Sequence, residues 1–121
     1  MEKSNNSYDE IRYLNLKNQG GFVVKLECWY KLAESATPKR IGTTKKILLG
    51  QNKTLDLQSI DGLPQGAYVT AYANVEAGTD LPSDKKPASI WFIYKSASTL
   101  TADFVISGTT TIDTLGYVGI K

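Results

Sequence analysis

The stretch that decides the fold is FVVKLECWYKL, residues 22–32, in which apolar and polar side chains alternate with a period of two. A β-strand directs successive side chains to opposite faces of its sheet. One face would carry Phe22, Val24, Leu26, Cys28, Tyr30 and Leu32, and the other Val23, Lys25, Glu27, Trp29 and Lys31. The pattern predicts a strand with one buried face and one largely solvated face.

The same alternation recurs on both sides of this strand, and no segment has the 3.6-residue apolar period of a helix. Asn18 to Gly21 predicts a tight hairpin that joins a run at 11–16 to residues 22–32 as antiparallel neighbours, its glycines taking positive φ. Further strands are predicted at 41–49, 54–60, 67–77, 89–94, 100–106 and 109–120. The fold class is therefore all-β, a two-sheet immunoglobulin-like β-sandwich of about eight mainly antiparallel strands, with a small barrel or jelly roll as the alternative.

Length and composition indicate one folded domain. The chain has 121 residues, 41% hydrophobic and 21% charged, and no apolar run reaches the roughly 18 residues of a membrane-spanning helix. We expect a single domain over 1–121, with 1–9 as a flexible N-terminal tail. The first ten residues lack the charged and apolar regions of a signal peptide, so we expect a cytoplasmic location, release by a non-classical route, or a leader already removed.

The missing residue types exclude most familiar chemistry. There is no histidine and only one cysteine, which removes Ser-His and Cys-His nucleophiles, His-ligated metals and an internal disulfide. Nothing in the sequence brings the carboxylates together as an acid–base pair. We expect no enzymatic activity, no cofactor and no metal, and a net charge of +2 argues against nucleic acid.

Two segments carry a resemblance to a known family. They are QGGFVVKLECWY at 19–30 and LLGQNKTLDL at 48–57, within a correspondence that spans roughly 14–94. The chain resembles the C-terminal β-sandwich of thiol-activated, cholesterol-dependent cytolysins and small stand-alone relatives. That resemblance implies the sandwich fold and a role in binding a cell surface. The family's membrane loop is Trp-rich and holds its cysteine, whereas Cys28 lies on a predicted buried face and 76–91 has only Trp91, so cholesterol recognition is carried over to no residue.

A polar face of the predicted strand 67–77 is the first candidate site. Tyr68, Thr70, Tyr72 and Asn74 share this face, opposite a row of small apolar residues. Neighbouring tyrosines offer flat apolar rings with hydroxyl tips, which can stack on sugars or sit at a membrane interface. The alternatives are that this face is the buried one, or that the tyrosines cover a neighbouring strand.

The polar loop 78–87 is the second candidate, because the end loops of a sandwich often carry recognition. Its binding candidates are Thr79, Asp80, Leu81, Lys85 and Lys86. Asp80 and Asp84 supply too few oxygens for calcium, which prefers about six to eight. A solvated connection is the alternative.

Two tryptophans and three basic pairs complete the candidates. Trp29 is either a binding anchor or the cover of a second, smaller core, and Trp91 follows the polar loop. Pairs of basic residues at 39–40, 45–46 and 85–86 would attract phospholipid head groups or sulfated glycans, or simply keep the surface soluble.

The leading functional hypothesis is a non-catalytic recognition module, a small toxin-like or toxin-associated protein that binds a membrane or a glycan at a cell surface. One alternative is a carbohydrate-binding lectin that uses the tyrosines. Another is a structural or adaptor protein that binds a protein partner through a sheet edge. A membrane-lytic role would require a homo-oligomer or a second toxin component, because one small sandwich cannot line a pore.

Overall fold

A computed structural model describes residues 8–76, 84–88, 90–109 and 113–121, with the backbone alone for 84–87 and 113. These residues form strands and one short 3₁₀ turn, Leu57–Ser59. The strands are β1 (Glu10–Ile11), β2 (Tyr13–Gly20), β3 (Val23–Lys31), β4 (Lys39–Thr43), β5 (Asn52–Asp56), β6 (Tyr68–Glu76), β7 (Asp84–Pro87), β8 (Phe92–Tyr94), β9 (Thr101–Gly108) and β10 (Asp113–Ile120).

The strands form two sheets that do not close into a barrel. Sheet A has the order β1-β8-β6-β3-β4, with β7 also paired to β6, and sheet B has the order β10-β9-β2-β5. The pairs β1–β8 and β2–β9 are parallel, and the other pairs are antiparallel. The predicted all-β, two-sheet sandwich is confirmed.

The core lies between the sheets and is filled by the apolar face of each strand. Phe92 of sheet A meets Phe104 of sheet B edge to face, with ring centroids 6.2 Å apart. Cys28 lies on the buried face of β3, as predicted, and burial raises the pKa of its thiol to about 12. The thiol therefore stays protonated and acts as a small apolar side chain.

The predicted hairpin at 18–21 is wrong. β2 belongs to sheet B and β3 to sheet A, so the connection crosses between the sheets and the two strands are not paired. Gly20 and Gly21 do not have positive φ. A Cβ at Gly20 would overlap the Phe22 ring, so this glycine is needed for close packing and not for turn geometry.

The predicted strand at 41–49 is also wrong beyond Thr43. The Thr44 amide and hydroxyl bond to the backbone of Leu26, and Ile47 exchanges backbone hydrogen bonds with Val24. Two residues, Lys45 and Lys46, lie between these contacts on this segment, whereas only Lys25 lies between them on β3, as in a β-bulge. The polar stretch 78–87, expected to be a loop, ends in a strand, because β7 pairs with β6.

Candidate functional site

One end of the sandwich carries two exposed leucines on a tight turn. Leu48 is 49% exposed and Leu49 is 65% exposed. The Gln51 amide donates to the Leu48 carbonyl at 2.9 Å, and Gly50 between them has φ of 85°. A positive φ at the third position is the requirement of a type II turn, which puts Leu49 at its apex. We call residues 47–51 the leucine tip.

The leucine tip is anchored by a buried asparagine of β2. Asn18 is fully buried, and its Nδ2 donates to the carbonyls of Phe22 and Ile47 at 2.6 and 3.0 Å. Its Oδ1 accepts from the Gly20 amide at 2.8 Å, and its backbone carbonyl accepts from the Gly50 amide at 2.7 Å. One side chain thus ties the tip to the crossing between the sheets, so the turn is held in place although its leucines are in water.

Basic side chains lie beside the leucine tip. Lys45 and Lys46 are exposed, and Lys46 lies 3.3 Å from Glu76 at the end of β6. Lys25 lies at the same distance from the other carboxylate oxygen. Partial burial disfavours the charged form of Glu76, but hydrogen bonds from Lys46 and Lys25 outweigh it and hold the pKa below its ordinary value. Lys25, Lys45 and Lys46 together with Glu76 therefore give the surroundings of the leucine tip a net positive charge.

The outer surface of sheet A is aromatic. The small apolar residues of β6 are fully buried, so Tyr68, Tyr72 and Asn74 point outward. Trp29 of β3 and Trp91 before β8 lie on the same surface and are partly buried. We call Trp29, Tyr68, Tyr72 and Trp91 the aromatic face. The structure thus brings these predicted residues together, although whether they bind a ligand stays a prediction.

Trp29 covers a buried carboxylate. Its ring stacks on Tyr72 with centroids 4.2 Å apart and planes 10° apart, and its Nε1 donates to Glu27 at 2.9 Å. Asn74 donates to the other oxygen of Glu27 at 3.1 Å, and Arg40 lies 3.5 Å from that oxygen. The Glu27 side chain is 1% exposed. On this half of the aromatic face Trp29 covers Glu27, and whether Trp29 also anchors a ligand stays a prediction.

The other half of the aromatic face is covered by a lysine and by the N-terminal segment. The Lys31 ammonium lies 4.3 Å from the Trp91 ring centroid and 5.8 Å from that of Tyr68. Tyr8 meets Tyr68 edge to face at 5.2 Å and donates its hydroxyl to Glu34 at 2.7 Å. Residues 1–7 of the expected tail lie outside the described residues, whereas Tyr8 and Asp9 contact the sheet.

The remaining predicted binding residues all lie in the polar stretch 78–87. Thr79, Asp80 and Leu81 lie outside the described residues. Lys85 and Lys86 are described by backbone alone, opposite Asn74 and Ala73 of β6. Their roles stay predictions.

The leucine tip and Asn18 are not among the predicted binding residues. The sequence predicts a strand over Leu48 and Leu49 and a hairpin turn at Asn18. The signal for the tip was present, because two adjacent leucines cannot both face the core in a strand and Gly50 follows them directly. No sequence pattern marks Asn18, because its bond to Ile47 joins segments that meet only in the folded chain.

The described ranges contain neither a metal-binding cluster nor a membrane-spanning helix. No cluster of three or more His, Cys, Asp or Glu side chains there is placed to hold a metal ion. No helix in the same ranges has the length and apolar character to cross a membrane.

Three solved structures show what the chain is similar to. The membrane-binding domain of pneumolysin aligns with a TM-score of 0.45 at 14% identity, over 89% of this chain and 96% of that one. Intermedilysin, a human-specific toxin, aligns with a TM-score of 0.48 at 15% identity, over 91% of this chain and 23% of that one. Listeriolysin O aligns with a TM-score of 0.47 at 15% identity, over 88% and 22%.

The chain thus spans less than a quarter of the two whole toxins. No protein-family model matches the sequence, and no curated protein is similar to it. These alignments combine low identity with TM-scores below 0.5, so they give this chain neither a family nor a side-chain role.

Proposed function

We propose that this protein is a non-catalytic, toxin-like module that binds lipid membranes through the leucine tip. The observation that carries the proposal is the pair of adjacent leucines, 49% and 65% exposed, at the apex of an anchored turn. Apolar side chains in such a position lose contact with water when the tip enters the acyl boundary of a bilayer. The flanking lysines then face the head groups.

The expected strength is modest for a single copy. Moving two half-exposed leucines out of water contributes about 2–4 kcal/mol. Two lysines near an anionic surface add about 1 kcal/mol each, less where Glu76 already neutralises Lys46. The sum, about 3–6 kcal/mol, corresponds to a dissociation constant between roughly 6 mM and 0.05 mM. Stable attachment would then need several copies on one surface, because linked sites raise the effective affinity.

Co-sedimentation with liposomes tests the proposal. Vesicles of phosphatidylcholine, with stepwise added phosphatidylglycerol and sterol, would separate the apolar, electrostatic and sterol contributions. The test variant is Leu48→Ser with Leu49→Ser, and we expect it to bind at least about tenfold more weakly. Both sites are exposed, so thermal unfolding should change little.

The chain offers a matched control at its other end. Leu32 is 67% exposed, as much as Leu49, but it follows β3 at the end opposite the leucine tip. Leu32→Ser should leave vesicle binding unchanged. Equal losses in both variants would mean general apolar adhesion, and no vesicle binding by the wild-type protein would refute the proposal.

A further inference from the structure

The outer surface of sheet B contains a polar groove that none of the sites above includes. Its volume is about 390 Å³, within the range of small-ligand sites. The groove is lined by residues of β2, β5, β9 and β10 and by the residue that follows β10: Asn15, Lys17, Gln19, Asn52, Asp103, Phe104, Val105, Val118 and Lys121. We call it the sheet B groove.

The strand register explains why the groove is open. Asp103 and Val105 of β9 lie opposite Gly119 and Gly116 of β10, so no β10 side chain faces either of them across the pair. A bulge between Tyr117 and Gly119 leaves Val118 61% exposed. The missing side chains leave a recess between β10 and the polar residues of β2.

The polar groups that line the groove differ in chemistry. Asn15 Oδ1 accepts hydrogen bonds from Asn52 and from Thr54, both at 2.9 Å, which fixes the orientation of the Asn15 amide. The Asp103 side chain is 10% exposed and lies 3.0 Å from the ammonium of Lys121, which is 77% exposed. Amides and a carboxylate on adjacent strands together present both donors and acceptors.

The side chains that line the groove carry one net positive charge. Lys121 pairs with Asp103, whereas no carboxylate of the described residues forms an ion pair with the exposed Lys17. Lys17 therefore has its charge available to a ligand. Val118 and Val105 supply the apolar surface of the groove. Phe104 is buried, so the groove exposes no aromatic ring on which a nucleic-acid base could stack.

From these groups we propose that the sheet B groove binds a saccharide that carries an anionic group. Hydroxyls of the sugar would bond to the amides of Asn15 and Asn52 and to the Asp103 carboxylate. The anionic group would pair with Lys17, and the aliphatic face of the ring would rest on Val118. The proposal is independent of the leucine tip, because the groove lies on a sheet face and uses none of the tip residues.

A lipid-free glycan array tests this proposal with immobilised sialylated, uronic-acid, sulfated and neutral glycans. We expect the wild-type protein to bind acidic glycans in preference to neutral ones, and more weakly as salt is raised. Asn15→Ala and Lys17→Ala should each weaken binding about tenfold, because each removes a hydrogen bond or a charged contact to the ligand. Lys17 is exposed, so its variant is expected to fold.

Two control variants separate this site from others. Lys39→Ala removes an exposed lysine of sheet A and should bind like the wild type. Leu48→Ser with Leu49→Ser should also retain glycan binding, which keeps a failure of the groove distinct from a failure of the leucine tip. Binding to no acidic glycan, or full binding by the Asn15→Ala, Lys17→Ala double variant, would overturn the proposal.

Discussion

The aromatic face and the leucine tip both hold large apolar side chains outside the main core, but their surroundings differ. On the aromatic face Trp29 stacks on Tyr72, and Lys31 covers Trp91. At the leucine tip the turn is bonded through its backbone, while Leu48 and Leu49 remain exposed. Residue type alone therefore does not identify a binding surface, because neighbouring side chains can already cover an aromatic ring.

The largest effect is expected when Asn18, which anchors the leucine tip, is replaced. Asn18→Ala would leave the carbonyls of Phe22 and Ile47 and the amide of Gly20 without these buried partners. We expect a loss of about 3–4 kcal/mol in the free energy of unfolding, measured by urea denaturation. The surviving folded protein should also bind vesicles more weakly, since its leucines would no longer be held together.

Gln19→Ala on the same strand is the matched control, because Gln19 is exposed. It should change stability by less than about 0.5 kcal/mol. A loss below about 1 kcal/mol for Asn18→Ala would show that water replaces the asparagine amide and that the tip does not depend on it.

On the aromatic face, Trp29→Ala should lower stability without changing vesicle binding. The substitution removes the stack on Tyr72 and the hydrogen bond to the buried Glu27 carboxylate. We expect a loss of about 2–3 kcal/mol in unfolding free energy and unchanged vesicle affinity per folded molecule. Unchanged stability together with lost sugar binding, also seen in a Tyr68→Ala, Tyr72→Ala variant, would instead make the aromatic face a lectin site.

Some features of these two regions could be predicted from the sequence, and others could not. Alternation at 22–32 and 67–77 predicted both strands and the burial of Cys28, because a period of two depends only on neighbours along the chain. It could not predict that β2 and β3 belong to different sheets, because their partner strands β9 and β6 come from distant parts of the chain. Nor does alternation predict the burial of Glu27, because Asn74 and Arg40, which hold one of its carboxylate oxygens, come from other strands.

A smaller effect should distinguish the two halves of the aromatic face. Lys31→Ala uncovers the Trp91 ring, from which the ammonium lies 4.3 Å away. We expect a loss of about 1 kcal/mol or less, because the pair is partly solvated, and a change in tryptophan fluorescence. Lys31→Arg should restore the contact, and a loss as large as that of Trp29→Ala would mean that both halves belong to one core.

The smallest effect concerns pH at the tip. Glu76 has a pKa below its ordinary value of 4.5, because hydrogen bonds from Lys46 and Lys25 outweigh the opposing effect of burial. The stability from these ion pairs is therefore complete above pH 4.5 and is lost as pH falls through the folded pKa. Below that point Lys46 is released from its acid partner and remains positively charged.

The phosphate of phosphatidylglycerol stays ionised in this pH range. We therefore expect binding to phosphatidylglycerol vesicles to strengthen by about threefold as Glu76 becomes protonated. A threefold gain corresponds to part of the free energy with which one lysine is attracted to an anionic surface. Glu76→Gln should imitate the protonated state, binding about threefold better at pH 7 and losing most of the acid response. Neutral phosphatidylcholine vesicles should show neither change, because they offer no charge to Lys46. An equal acid response in Glu76→Gln would place the titrating group elsewhere on the surface.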